Sequence, residues 1–259
     1  HRKGGDCLNT PAPNAPVKTA RTYFISDLHL TDERPITTGR FFRFLEEEAA
    51  GADALYILGD LFEAWVGDDH SESVAGETAR RLKTLSVAGT RVVFLHGNRD
   101  FMLAGDYARQ AGMSLIPDPS VIDLYGTPTL LMHGDTLCTD DADYQRVRRR
   151  LRRPLVLALL RRLPLAWRMR LARRARANSE SSKAGKSLEI MDVNAEAVSA
   201  ALSAHGVVRL IHGHTHRPGR HALTVGGLAG ERWVLPDWYA RWGYAACDAD
   251  GCRLEVMPL

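Results

Sequence analysis

Five short apolar runs in this chain each break off into a cluster of aspartate, histidine or asparagine. Tyr23-Phe-Ile-Ser26 leads into Asp27-Leu-His29, Ala54-Leu-Tyr-Ile-Leu58 into Gly59-Asp60, and Arg91-Val-Val-Phe-Leu95 into His96-Gly-Asn-Arg-Asp100. Thr129-Leu-Leu-Met132 leads into His133-Gly-Asp135, and Val207-Val-Arg-Leu-Ile211 into His212-Gly-His-Thr-His216. Short apolar runs bounded by polar and glycine residues read as buried strands. Between them, Phe41, Phe42 and Leu45 in 39–50 carry helical spacing, and 73–88 and 193–205 also read as helices. Strands alternating with helices specify an α/β core. In such sheets, sites collect at the carboxyl ends of the strands. A hairpin is expected from 121–125 and 129–132 around a Gly126-Thr-Pro128 turn, and another at Asp250-Gly251.

The length of 259 residues allows one large domain, or one domain with an insertion. The expected division is a disordered leader at 1–20, a core of 21–140 and 193–259, and an inserted lid at 141–192. The leader has no apolar h-region, so a signal peptide is not expected there. No apolar run is long enough for a transmembrane helix. Cysteines stand at 7, 138, 247 and 252, with no Cys-x-x-Cys pair. Cys247 and Cys252 flank a turn and are close enough to face each other, but free thiols in a reducing cytosol are the expectation.

Charge sets the insert apart. From Gln145 to Ser179 there are thirteen arginines and no acidic residue, so taking them from a net +3 leaves the rest of the chain at −10. Pro154 and Pro164 break the segment. Leu155, Leu160, Leu163, Leu165, Trp167, Met169 and Leu171 interleave with the arginines. A basic amphipathic helix of this kind suits an anionic membrane surface. A solvated basic face over an ordinary core stripe is the plainer alternative. Nucleic acid is not expected as a partner, because the interleaved residues are aliphatic rather than stacking aromatics. No obligate protein partner is expected.

In an extended segment, residues two apart point the same way. Asp27 with His29, and His214 with His216, would then each present two ligands on one side. Carboxylate, imidazole and amide oxygen together suit Mn²⁺, Fe²⁺ or Zn²⁺. Seven such groups exceed one tetrahedral site and suit two ions about 3.5–4 Å apart that share a carboxylate.

The ordered blocks Asp27-Leu-His29, Gly59-Asp60-Leu61, Gly97-Asn98-Arg99-Asp100, His133-Gly-Asp135 and Gly213-His-Thr-His216 resemble the calcineurin-like metallophosphoesterases. Most of that superfamily has histidine where this chain has Arg99. The longer blocks 59–69, 133–141, 189–194 and 212–218 are similar to a branch acting on a nucleotide lipid, and the resemblance runs from about Thr22 to the C-terminus. It implies a sandwich of two mixed β-sheets flanked by helices, with an inserted helical lid. It also implies that Asp27, His29 and His216 hold one metal, that Asn98, His133 and His214 hold a second, and that Asp60 bridges them. The metals would be two divalent ions, with Mn²⁺ expected. The implied reaction is attack by a hydroxide formed between the ions on the α-phosphorus of UDP-2,3-diacylglucosamine. The products would be UMP and 2,3-diacylglucosamine 1-phosphate, a step of lipid A biosynthesis on the cytoplasmic side of the bacterial inner membrane.

By the same resemblance, Arg99, Asp60, Asn98 and His133 are catalytic. Asn98, Arg99, Asp141, Ser179, Lys183, Lys186 and His214 contact substrate, although the branch often carries asparagine near Lys183. Glu63, Trp65, Asp68 and Asp69 are read as support and cleft wall. Arg99 also makes chemical sense by itself, because a permanently charged guanidinium grips phosphate oxygens bidentately. It donates a proton poorly, which favours a leaving phosphate over a leaving alkoxide. Two alternatives remain: a phosphatase of the same fold acting on another phosphoester, and a non-catalytic membrane-associated scaffold.

Overall fold

The computed structural model describes residues 19–69, 73–184 and 192–259. Nearly all of the expected leader lies outside them. Four parallel strands are the spine of the first sheet: β1 (Thr19–Ile25), β2 (Ala52–Ile57), β3 (Arg91–Leu95) and β4 (Met113–Ile116). Helices α1 (Pro35–Glu47), α2 (Ser73–Val87) and α3 (Gly105–Ala111) are the crossovers between them. Helix α1 starts earlier than the apolar spacing indicates, because Pro35 occupies its first turn, where a missing N–H costs nothing.

The second sheet runs in the order β5 (Ser120–Leu124), β6 (Thr127–Leu131), β7 (Arg209–His212), β9 (Leu228–Val234) and β8 (Gly219–Val225). β10 (Arg241–Asp248) and β11 (Gly251–Pro258) add antiparallel to the β1 edge of the first sheet. Both sheets are therefore mixed. The β5–β6 turn sits at Tyr125-Gly126 rather than at 126–128. Pro128 lies inside β6, where it pairs with Asp123, and the ladder to β7 begins only at Thr129. A proline there removes no needed donor.

Alternation along the strands sorts their side chains into layers. Tyr23, Ile25, Leu55, Ile57, Val92 and Phe94 pack outward beneath α1, α2 and α3. Phe24, Tyr56, Leu58, Val93 and Leu95 pack inward against Leu131, Ile211, Trp233 and Leu235 of the other sheet. Helix α7 (Ala195–His205) covers the outer face of the second sheet with Val198 and Leu202.

Between β6 and α7 the chain forms α4 (Ala142–Leu151), α5 (Pro154–Arg162) and α6 (Leu165–Ala184). The two prolines do more than interrupt this segment. Pro154 opens α5, and Pro164 immediately precedes α6. Asp141 caps α4 by accepting from the Tyr144 N–H. Asn194 caps α7. Among the described residues, no helix is long and apolar enough to cross a membrane.

The expectation of free thiols at 247 and 252 is overturned. The two-residue turn at Ala249-Asp250 places Cys247 directly opposite Cys252, with Cα atoms 4.1 Å apart, and they form a disulfide. Cys138 is buried, its thiol on the Gly134 carbonyl.

Candidate metal centre

The loops leaving β1, β2 and β7 share an uncommon backbone. Among the described residues, the non-glycine positions with positive φ are Asp27, His29, Asp60, His214, His216 and Tyr125. All but Tyr125 are predicted ligands. This conformation costs a residue with a Cβ roughly 1–2 kcal/mol, and such strain gathers where a site demands it. The ligand pairs therefore do not converge by strand alternation, as the spacing suggested. They converge through left-handed turns, held because Asp27 N–H donates to Gly59 O and His29 N–H to Asp60 O. Close approach fixes the glycines. A Cβ on Gly97 would lie 2.1 Å from Asp60 Oδ1, and one on Gly213 would lie 2.0 Å from Ser26 Oγ.

Two clusters result. Asp27, His29 and His216 bring one ligand atom each within 4.8 Å of one another, and Asp27, Asp60 and His133 do the same. Asp60 divides its oxygens between them, with Oδ2 3.8 Å from His29 Nε2 and Oδ1 3.8 Å from His133 Nε2. Asp27 Oδ1 is 3.4 Å from His216 Nε2. Its Oδ2 accepts from Ser26 Oγ at 2.5 Å and from the His214 N–H at 2.8 Å. The His133 and His214 rings lie 5.0 Å apart. His133 Nδ1 donates to Leu58 O at 2.8 Å, and its Nε2 lies 3.0 Å from Asn98 Oδ1.

Burial sets the charge states. It drives His29 well below the ordinary imidazole range and His214 down to about 3, leaving both as the neutral form that binds metal. It pushes Asp60 up to about 7 despite His133. Burial alone would also raise Asp27, but His216, His133 and His29 hold it well below the carboxylate range. Asp27 Oδ1 and both nitrogens of His29 are buried without a hydrogen-bond partner. Buried carboxylate and imidazole groups so gathered, with a carboxamide oxygen beside them, fit divalent cations.

The other predicted residues separate by position. Arg99 is largely buried at the rim, and its N–H donates to Asp60 Oδ1. Glu63 is buried beside His29. Asp68 turns away from the site. It accepts from Trp65 Nε1 and from the Ala104, Asp106 and Tyr107 N–H groups, which anchors the start of α3. Asp69 pairs with Arg168 of α6. Asp141 serves the α4 cap. Ser179 and Lys183 fall on α6 where side chains are not described, and Lys186 lies outside the described residues.

Sequence reading missed several residues of the site. Asp100 accepts from the Gly97 and Leu61 N–H groups and so joins two ligand loops. Tyr239 lays its ring 5.1 Å from that of His29 and 5.6 Å from that of His216. Asp135, wholly buried, accepts from Tyr144 Oη and Arg148 Nε of α4. For Asp100 and Asp135 the signal available was their place in the Gly97–Asp100 and His133–Asp135 blocks. Tyr239 carried none.

Two ligand clusters at the strand ends of a double-sheet sandwich define a metal-dependent phosphoesterase, and residues 20–218 match the calcineurin-like phosphoesterase family, to which the chain belongs. Its similarity is more specific than that. Over 236 residues it is 52% identical to UDP-2,3-diacylglucosamine hydrolase of Pseudomonas paraeruginosa, covering 91% of this chain and 98% of that one. It is 48% identical to the Serratia proteamaculans protein of the same name, covering 92% and 99%. A solved structure described as a novel archaeal phosphodiesterase matches at a TM-score of 0.47 and 12% identity, over 92% of this chain and 99% of that one.

Proposed function

We propose that this chain hydrolyses the pyrophosphate of UDP-2,3-diacylglucosamine, a step of lipid A biosynthesis. Water adds across the anhydride at the α-phosphorus. UMP keeps the new oxygen, and 2,3-diacylglucosamine 1-phosphate leaves. One observation carries this reading. About half of the residues are identical to hydrolases of that name across nine-tenths of this chain, with all seven expected ligands inside the phosphoesterase match.

Asp27, His29 and His216 would hold one divalent cation, and Asn98, His133 and His214 a second. Asp60 would offer one oxygen to each. Bound there, such ions, Mn²⁺ by the family resemblance, would supply Lewis acidity toward phosphate oxygens and acidify water to near neutral pH. The remaining work falls to the chain. Arg99 would grip the phosphate and follow the charge onto the departing phosphate, which needs little protonation. Asn98 and His214 would meet the substrate's oxygens as well. Asp141, Ser179, Lys183 and Lys186 would contact the sugar and its acyl amides from α4, α6 and the segment after α6. Leu157 and Leu160 of α5 pack with Phe101 against the main core and would wall off water from the acyl chains.

The outer face of α4–α6 supports docking on an anionic leaflet. Leu155, Leu159 and Trp167 are 85%, 62% and 66% exposed among the arginines. This reading puts the protein peripherally on the cytoplasmic side of the inner membrane, where a lipid substrate resides.

The test uses metal-stripped protein in ¹⁸O-labelled water, with Mn²⁺ added back and UDP-2,3-diacylglucosamine supplied beside p-nitrophenyl phosphate. Labelled UMP should form only with metal and only from the nucleotide lipid. Turnover of the monoester alone would contradict the substrate assignment.

A further inference from the structure

Glu63 is a buried carboxylate whose two oxygens face different parts of the site. Oε2 accepts the Tyr239 hydroxyl at 3.3 Å and lies 3.6 Å from His29 Nδ1. Oε1 faces the guanidinium of Arg99 at 3.9 Å and that of Arg176, on α6, at 3.3 Å. The other nitrogen of His29, Nε2, faces Asp27 at 3.9 Å and Asp60 at 3.8 Å. A neutral imidazole carries a single N–H. With Nε2 turned toward the carboxylates of the metal cluster, that proton belongs on Nδ1, and the carboxylate oxygen facing it is Glu63 Oε2, 3.6 Å away and just beyond hydrogen-bonding distance.

The surroundings hold this arrangement in place. The Tyr239 ring backs both His29 and His216, and Arg34 lies over the Tyr239 ring at 4.2 Å while donating to Trp238 O. Glu63 itself is fixed through its N–H to Leu30 O. One carboxylate thus meets a histidine of the first cluster, the arginine at the rim and an arginine of the inserted helices.

We propose that Glu63 is a positioning residue with two tasks. Through Oε2 it fixes His29 as an Nε2 ligand and raises the basicity of that nitrogen, as outer carboxylates do for metal-bound histidines. Through Oε1 it holds Arg99 and Arg176 at the edge of the same cluster, so metal affinity and placement of the phosphate-gripping arginine depend on one side chain. The proposal rests on the reading of Asp27, His29 and His216 as a metal site. Glutamine at 63 would keep the shape, but it loses the charge and turns an amide N–H either to His29 or to two arginines.

The test is Mn²⁺ titration of metal-stripped wild type, Glu63→Gln and Tyr239→Phe, with free Mn²⁺ read by electron paramagnetic resonance. Glu63→Gln should weaken one of the two equivalents by about 10–100-fold and leave the other unchanged. Tyr239→Phe should weaken the same equivalent by less than tenfold. Raising Mn²⁺ should restore kcat of Glu63→Gln on UDP-2,3-diacylglucosamine while KM stays elevated, a split that a general packing defect would not give. Glu63→Gln binding both equivalents like wild type, or losing both alike, would overturn the proposal. Wild type binding no Mn²⁺ would overturn the metal-site reading and this inference with it.

Discussion

The ligand loops and the α4–α6 segment face the same site but are held by different means. The loops are built into the sandwich. Asp27, His29, Asp60 and His133 are buried, five of the seven ligands sit on left-handed backbone, and N–H groups bond from one loop to the next. The helical segment is held largely by polar bolts. At one end Asp135 takes Tyr144 and Arg148, with Arg152 3.7 Å away and donating to Gly97 O. At the other, Arg168 of α6 donates to Val66 O and pairs with Asp69. Interior packing tolerates little change, whereas a few ion pairs let a surface element vary without disturbing the core. On the proposed function, the chemistry falls to the loops and the choice of substrate to the helices.

The largest effect should come from the loops. His133→Ala, or chelation of metal, should lower UMP release by roughly 10³-fold or more, several kcal/mol of lost electrostatic stabilisation. The fold should survive, as circular dichroism would report. A His133→Ala enzyme within tenfold of wild type would break the division.

Next is the Asp135 bolt. Asp135→Ala leaves Arg148 and Arg152 without their buried partner, and breaking such a pair costs about 3–5 kcal/mol. Urea denaturation should show a loss of that order, with Asp135→Asn losing less.

Arg168→Ala should act more locally. Hydrogen bonds to a charged group contribute about 1.5–3 kcal/mol each at most, and Asp69 is well exposed, so the loss should fall at or below the lower end of that range. Trypsin should cut the arginine-rich helices faster, while the urea midpoint of the core moves little.

The last effect is pH-dependent. Burial, with Asp135 nearby, pushes Asp118 up to about 6, and both of its oxygens lack hydrogen-bond partners. A carboxyl raised above its unfolded value binds its proton more tightly in the folded state. Its contribution to stability is therefore present at low pH and is lost as pH rises through about 6. Asp118→Asn should gain stability across that window, by about 1–3 kcal/mol above it. Denaturation at pH 5 and pH 8 would check the sign.

The strand ends were legible because burial on both faces forces an unbroken apolar run, and the run stops where ligands begin. Tyr23 to Ser26 and Arg91 to Leu95 are of this kind. The left-handed turns at Asp27 and His214 were not legible, since they depend on which loop lies alongside. Glu63 was readable only as support, because His29, Tyr239 and Arg176 reach it from distant parts of the chain. The disulfide was misread for a related reason. Spacing allowed the pairing, but register decided it, and register follows from the turn at Ala249-Asp250.

The division of labour is tested most directly by comparing two substrates on two variants. His133→Ala and Arg168→Ala would each be assayed on UDP-2,3-diacylglucosamine and on bis(p-nitrophenyl) phosphate, a diester with no lipid. The account predicts that His133→Ala loses both activities, while Arg168→Ala loses kcat/KM only on the nucleotide lipid. Equal loss on both substrates in Arg168→Ala, or none on either, would contradict it.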